Sequence, residues 1–407
     1  MNIVIFTDTY FPKIDGIAVS IQNFTGHLIK RGFRFVICTP SYDLPSYEKI
    51  NESLHIVRFA DAPLPSYPDV KIVIPSRSRL DRALTIFKPD LIHVQTPGLL
   101  GQYGIFAARM LGIPVYGTYH TLISEQTSYL SALKIPGVND ILQNFVPDFL
   151  SNTIRGLDEL SNQIFIREMI KTYASAFYNL CDLVISPSMA IEKELVKQHI
   201  FRPIKVISNG IDLSRFSNRI RTIENNTSYT FIHAGRLSYE KNVEVVIKAF
   251  LQIIKVFNNA KLIICGDGPA LSFLKNQAVD AGQQIEFRGL IHQNELPEYY
   301  NHSHIFITAS TMETQGIVVL EALASGLPCV GVDAYALPEL IKHNVNGKIV
   351  PPFRPDEMAD AVLSILASKE QYIEFSQQAI QTAASHKLEN SIDDLEQLYK
   401  SLDSQNS

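Results

Sequence analysis

No stretch of about 18 apolar residues runs without a charge, so the sequence offers no candidate membrane-spanning helix. Cysteine is scarce. Cys38, Cys181, Cys265 and Cys329 are isolated from one another, and each adjoins an apolar run. That spacing excludes a disulfide framework or a cysteine metal cluster and suits reduced core thiols in the cytoplasm. Basic residues are not in excess: 36 Lys and Arg stand against 41 Asp and Glu, for a net charge of −5, which argues against broad nucleic-acid binding. The start, MNIVIFTDTYFP, lacks a basic n-region and reaches Asp8 early, so it reads as a buried strand and not as a signal peptide. No G-x-G-x-x-G follows this strand, and the chain has no Walker A motif and no Asp-x-Asp pair. A dinucleotide fingerprint, a P-loop and a metal–diphosphate clamp of the Asp-x-Asp type are thereby excluded.

What is present is ordinary globular composition, 46% hydrophobic and 19% charged, in 407 residues. That length is well beyond the ~150 of a single domain. Charge is uneven along it: residues 1–200 carry 18 basic and 18 acidic groups, and 201–407 carry 18 and 23. Short, continuously apolar runs alternate with helical patterns. Ile3–Phe6, Phe35–Cys38, Leu91–Val94, Val115–Thr118 and Leu183–Ile185 read as strands of one domain. Phe231–His233, Lys261–Cys265, Ile285–Phe287, Ile305–Ile307 and Cys329–Val332 repeat the theme in a second. Continuous apolarity points to strands buried on both faces, hence to α/β domains with doubly wound parallel sheets. The expected divisions are a first domain over 1–208, a linker over 209–228 entered through the turn signal Ser208-Asn209-Gly210, and a second domain over 229–385, with a final helix in 386–407. The stretch 122–178 breaks the alternation with helical patterning, mixed aromatic and aliphatic residues, and six acids to four bases. It reads as a helical layer on the first domain or as an acceptor- or membrane-facing surface.

In open α/β sheets, ligands bind beyond the carboxyl ends of the strands. The first strand leads to Gly16 at a helix start, which allows a phosphate to approach free N–H groups or is an ordinary loop glycine. His120 follows the strand Val115–Thr118 and can position a sugar hydroxyl or be structural. Arg236 and Lys241 follow Phe231–His233, suited to a diphosphate or to a solvated helix start. Glu313 precedes the helix opened by Gly316, and Glu321 lies on it about two turns later. This pair suits sugar and ribose hydroxyls, or a cap and an ordinary surface acid.

Taken in order, DTYFPKIDGI (8–17), TYHT (118–121), ISPS (185–188), ISNGID (207–212), GRLSYEKN (235–242), GDGP (266–269) and ETQGIVVLEALASGLP (313–328) resemble the retaining glycosyltransferases of family 4. The resemblance spans nearly the whole chain. It implies the GT-B fold: two Rossmann-like doubly wound domains facing each other across a cleft, with the last helix crossing back to the first domain. It implies that Arg236 and Lys241 bind the diphosphate, Glu321 the ribose and Glu313 the donor sugar, aided by main-chain N–H groups near Gln315, Gly316 and Ile317. Gly16 would approach the phosphates, His120 would lie beside the transferred sugar, and Arg288–Ile291, with Leu290, would border the base. It further implies metal-independent, same-face transfer with retention, needing a nucleotide-sugar substrate and no cofactor. The motif style is that of diacylglycerol glucosyltransferases and related glycolipid synthases. Glucose transfer from UDP-glucose to diacylglycerol, by a cytoplasmic enzyme peripheral on an anionic inner membrane face, is therefore the first expectation. A soluble or polysaccharide-linked acceptor, a GDP-mannose donor, and a non-catalytic nucleotide-sugar-binding protein are the alternatives.

Overall fold

The computed structural model describes residues 1–13, 15–64, 67–74, 76–120, 159–224 and 228–402. The stretch 122–158, where most of the helical interruption is expected, lies outside the described residues. The chain divides into two compact units: unit 1 holds Met1–Pro187 and Ile191–Ile207, and unit 2 holds Ser188–Ala190 and Ser208–Ser401. The last described residue, Leu402, belongs with unit 1. The stretch 209–228, expected to be a linker, lies within unit 2, as does the final helix up to Ser401.

Among the described residues, unit 1 has ten strands: β1 Asn2–Phe6, β2 Arg34–Pro40, β3 Tyr47–Asn51, β4 Leu54–Phe59, β5 Asp61–Leu64, β6 Tyr67–Val73, β7 Leu91–Val94, β8 Val115–Thr118, β9 Leu183–Ser186 and β10 Ile204–Val206. Its main sheet has the order β10-β9-β8-β7-β1-β2-β4-β3. All neighbours are parallel except β3, which runs antiparallel at the edge beside β4. Helices α1 Gly16–Ile29, α2 Arg77–Ile86, α3 Leu99–Leu111, α4 Glu159–Asn179 and α5 Met189–Lys197 alternate with the strands. The four residues of β7, Leu-Ile-His-Val, are all buried, as expected of a strand covered on both faces.

Unit 2 carries β11 Thr230–Ala234, β12 Lys261–Cys265, β13 Ile285–Gly289, β14 Ile305–Ile307, β15 Cys329–Val332 and β16 Gly347–Val350. They form one parallel sheet in the order β13-β12-β11-β14-β15-β16. Its helices are α6 Val243–Val256, α7 Leu271–Gln277, α8 Leu296–Asn301, α9 Ile317–Ala324, α10 Leu337–Leu340, α11 Pro355–Leu366, α12 Lys369–Ser385 and α13 Leu388–Lys400. Phe231, Ile232, Phe250, Ile305, Phe306 and Ile307 are fully buried in its core, each contributing about 1.5–3 kcal/mol. Gly210 of the ISNGID motif has a specific packing reason: with φ +70°, a Cβ there would lie 2.6 Å from Leu388 Cα. This approach lets Ile211 N–H donate to His386 O at 2.8 Å and Leu388 N–H to Ile211 O at 3.0 Å, docking the start of α13 on unit 2.

Both sheets therefore contain the Rossmann-like order in which the strand sequence reverses at one point. In unit 1 the reversal lies between β1 and β7, and in unit 2 between β11 and β14. In open α/β sheets the loops leaving the strands at such a reversal are where ligands bind.

Candidate active site

In unit 2, β11 ends at Ala234 and delivers Gly235-Arg236, while β14 ends at Ile307 and delivers Thr308–Gln315. Asn242, at φ +49°, ties the two loops together. Its Nδ2 donates to Glu240 O at 3.1 Å, Ala309 O at 3.3 Å and Thr311 Oγ1 at 3.1 Å. The preceding residue, Lys241, is thereby presented to the β14 loop, where its Nζ meets Glu313 Oε1 at 2.6 Å. Both side chains are largely buried, 21% and 14% exposed. Burial works to raise the Glu313 pKa, but the charge and hydrogen bond of Lys241, with a hydrogen bond from Ser310, outweigh it and hold the carboxyl below its ordinary range. The two residues that the resemblance assigns to separate parts of a donor are thus partners in one ion pair.

Gly266 and Gly268 of the β12 loop lie directly under this region. A Cβ on Gly266, at φ +147°, would lie 1.8 Å from Gly235 O, and one on Gly268, at φ +158°, would lie 2.4 Å from Leu237 O. The GDGP turn is therefore a platform on which the Gly235-Arg236 backbone rests, closed by Leu237 N–H donating to Asp267 O at 2.9 Å. Leu290 follows β13, on the far side of β12 from β11, and is 82% exposed. Its neighbour Arg288 pairs with Glu286.

The helix α9 begins at Gly316, whose φ of +83° and ψ of +53° are left-handed and are followed at once by helical Ile317. No side chain caps this end, so its first N–H groups point toward the loop, a disposition suited to an anion. Gln315 does not use its side chain there. Its Oε1 accepts from Asn209 N at 3.0 Å and Asn209 Nδ2 at 2.5 Å, and its Nε2 donates to Ser208 Oγ at 2.7 Å. With Ser188 Oγ donating to Thr314 O at 2.7 Å, these bonds fix the backbone just ahead of the helix. Glu321, on the same helix, accepts from Tyr300 Oη at 3.0 Å. Burial pushes its pKa up to about 7, against the opposing effects of Tyr300 and Arg215.

The unit 1 crevice is built differently. Asp8, after β1, accepts from Thr96 Oγ1 at 2.5 Å and from Leu100 N at 3.0 Å, placing a carboxylate at the start of α3. Gly98 is required beside it, because a Cβ would lie 2.3 Å from Asp8 Oδ2. Asp15 caps α1, accepting from Ala18 N at 2.9 Å and Thr9 Oγ1 at 2.5 Å. Gly16 is the first residue of that helix, so its helix end already holds a carboxylate. Both helix starts at the unit 1 reversal are thus occupied by the protein's own acids, and the α9 start in unit 2 is not. His120, after β8, lies 2.7 Å by Nε2 from Gln95 Oε1. A carbonyl oxygen only accepts, so Nε2 carries the proton. Burial pushes the His120 pKa down to about 4, with Asp15 pulling the other way, so the ring is neutral near pH 7.

Asp8, Gln95, His233, Ser310 and Tyr300 are the site-forming residues that the sequence reading did not single out. Asp8, Gln95, His233 and Tyr300 each meet a partner distant in sequence, whereas Ser310 bonds locally, within the loop that carries Glu313. The one local signal was that His233 stands two residues before Gly235-Arg236 on a strand.

Comparison with known proteins places this geometry in a family. Residues 14–215 match the family profile described as Glycosyltransferase Family 4, and residues 214–382 match the one described as Glycosyl transferases group 1. The alpha-monoglucosyldiacylglycerol synthase of Streptococcus pneumoniae is 30% identical over 90% of this chain and 78% of its own. The synthase of the same description from Acholeplasma laidlawii is 27% identical over 81% of this chain and 80% of its own. Among solved structures, HepE of Anabaena in complex with UDP superposes with a TM-score of 0.70 at 16% identity, covering 98% of this chain and 100% of that one. The sucrose-phosphate synthase of Thermosynechococcus elongatus gives 0.70 at 17% identity, covering 99% of each. With two Rossmann-like units, family profiles that together span residues 14–382 and a relative 30% identical over nine-tenths of the chain, the chain belongs to glycosyltransferase family 4 and has the GT-B fold.

Proposed function

We propose that this glycosyltransferase moves glucose from UDP-glucose to diacylglycerol with retention of anomeric configuration and without a metal ion. The observation that carries the choice of sugar and acceptor is the similarity, over nine-tenths of the chain, to an alpha-monoglucosyldiacylglycerol synthase. On this reading Arg236, Lys241 and the N–H groups at Gly316 and Ile317 receive the diphosphate. A diphosphate competes with Glu313 for Lys241, and Glu313, loosened from the ion pair, accepts from hydroxyls of the sugar. Glu321 takes the ribose hydroxyls, Leu290 borders the base, and His120 and Gly16 serve from unit 1. As the bond from the anomeric carbon to the phosphate oxygen breaks, the cations and helix end stabilise the growing negative charge. The departing phosphate then accepts the acceptor hydroxyl's proton as that oxygen bonds to the same face of the sugar.

Glu321 supplies a pH test. A carboxyl with a pKa of about 7 is mostly protonated at pH 6 and mostly ionised at pH 8, and only the carboxylate accepts from both hydroxyls of a ribose. Affinity for UDP is therefore expected to rise about tenfold between pH 6 and pH 8. Glu321→Gln is expected to flatten that dependence, as read by isothermal titration calorimetry at the two pH values. A wild-type affinity that is flat or falls with pH would remove Glu321 from the nucleotide site.

Among the described residues no helix is long and apolar enough to cross a membrane, and the proposed enzyme reaches its lipid from the membrane surface. Flotation with anionic liposomes tests this: co-flotation at low salt is expected, and protein remaining at the bottom of the gradient would favour a soluble acceptor. A mannosyl donor is the second reading, favoured by 27% identity to a GDP-mannose-dependent alpha-mannosyltransferase of Mycobacterium tuberculosis over 91% of this chain and 90% of its own.

A further inference from the structure

His233 is placed where the two central loops of unit 2 part. It sits on β11, is 2% exposed, and reaches across the strand reversal so that Nδ1 lies 3.0 Å from the carbonyl oxygen of Ile307, the last residue of β14. Because a carbonyl has no hydrogen to give, Nδ1 must carry the proton and Nε2 must present a lone pair. The ring lies nearly parallel to that of Phe306, at 20° and 6.3 Å between centroids. Burial pushes its pKa down to about 4, while the charges of Lys241 and Glu313 act on it from the loops. The lone pair is therefore permanent at neutral pH. Yet Nε2 is buried and has no hydrogen-bond partner. An orphaned buried acceptor is destabilising, a burden that an aliphatic side chain at this core position would avoid.

The chemistry of the orphaned nitrogen narrows its partner. It accepts and cannot donate, so it offers nothing to a diphosphate, whose oxygens are also acceptors. It suits a hydroxyl. We propose that His233 Nε2 accepts a hydrogen bond from a hydroxyl of the donor's sugar moiety, making His233 a specificity-determining residue beneath the Lys241–Glu313 pair. This rests on unit 2 being the nucleotide-sugar site.

The test compares UDP with UDP-glucose, and GDP with GDP-mannose, by calorimetry on the full chain with wild type, His233→Phe, His233→Leu and His233→Gln. UDP or GDP affinity serves as the internal measure of an intact site. In the Phe and Leu variants the free nucleotide is expected to bind within about twofold of wild type, while the nucleotide-sugar weakens about three- to tenfold. The Gln variant, whose carboxamide oxygen restores an acceptor while its NH2 faces Ile307, is expected to recover part of that loss. Equal weakening of nucleotide and nucleotide-sugar in both apolar variants would overturn the proposal, because the ring would then support the phosphate side or the fold alone. Unchanged nucleotide-sugar affinity would overturn it as well. A wild-type chain that binds none of the four ligands is a different failure, that of the nucleotide-sugar reading itself.

Discussion

Glu313→Ala is expected to lower glycosyl transfer at least about a hundredfold while leaving the protein folded, and Lys241→Ala is expected to do the same. Each residue holds the other at 2.6 Å at the point where the β11 and β14 loops converge. Removing one acid or cation aimed at a reacting group costs about 10²–10³ in turnover where charge develops in a preorganised site. The stability cost is smaller. Breaking a fully buried ion pair costs about 3–5 kcal/mol, but these side chains keep 14% and 21% exposure, so the orphaned partner is partly solvated. The change is also confined to loops resting on an intact parallel sheet. Turnover measured alongside thermal unfolding separates the two effects. Near-wild-type transfer in either variant would remove the pair from the catalytic machinery, and wholesale unfolding would make it structural.

Arg221→Ala should produce a large loss of stability although the residue lies outside the site and outside the apolar core. Its guanidinium is spent on main-chain oxygens of unit 2: Nε donates to Ser325 O at 2.9 Å, Nη1 to Asn301 O at 2.5 Å and Ser303 O at 3.3 Å, and Nη2 to Tyr300 O at 3.1 Å. The last turns of α8 and α9 are stitched together by this fork. Truncation leaves several carbonyls without a donor at about 1–3 kcal/mol for each one that water cannot reach, so a loss of about 3 kcal/mol or more is expected. That corresponds to a fall in Tm of about 6–12 °C for a unit of this size. Arg221→Lys should recover little, since one ammonium cannot reproduce a planar fork. A Tm within about 1 °C of wild type in the alanine variant would contradict the account.

Arg221 also shows where sequence reading stops. It lies in a polar stretch with adjacent asparagines that reads as a linker, yet its partners are some 80 to 104 residues away. Strands buried on both faces were legible because burial writes itself as an unbroken apolar run: Leu91–Val94, Val115–Thr118, Lys261–Cys265, Ile305–Ile307 and Cys329–Val332 have the expected limits. The strand β4 was not legible. Its LHIVRF carries His55 and Arg58, and the arginine is buried because Glu48, on the edge strand, takes Nε at 2.7 Å and Phe11 O takes Nη1 at 3.0 Å. The edge strands β10 and β16 are only partly buried and each carries a lysine, Lys205 and Lys348, so neither shows an unbroken apolar run.

The site divides in the same way. Lys241, Glu313, Gly316 and Glu321 were legible because they stand at strand ends and a helix start within recurring motifs. That Lys241 and Glu313 bond to each other, 72 residues apart, was not. Nor was the contrast between the two helix starts, because it depends on Asp8 reaching α3 across 92 residues. Gly266 and Gly268 appear in the sequence only as part of the GDGP motif, and only their contact with Gly235 and Leu237 shows why no side chain fits.

The most direct test of the proposed reaction is mass analysis of products from the purified chain, supplied with UDP-glucose, UDP-galactose or GDP-mannose and with mixed liposomes containing diacylglycerol. Formation of a monohexosyl diacylglycerol from UDP-glucose, with the α-anomeric linkage that retention requires, is the predicted result. Transfer from any of these donors to a soluble sugar, with the diacylglycerol recovered unglycosylated, would contradict it.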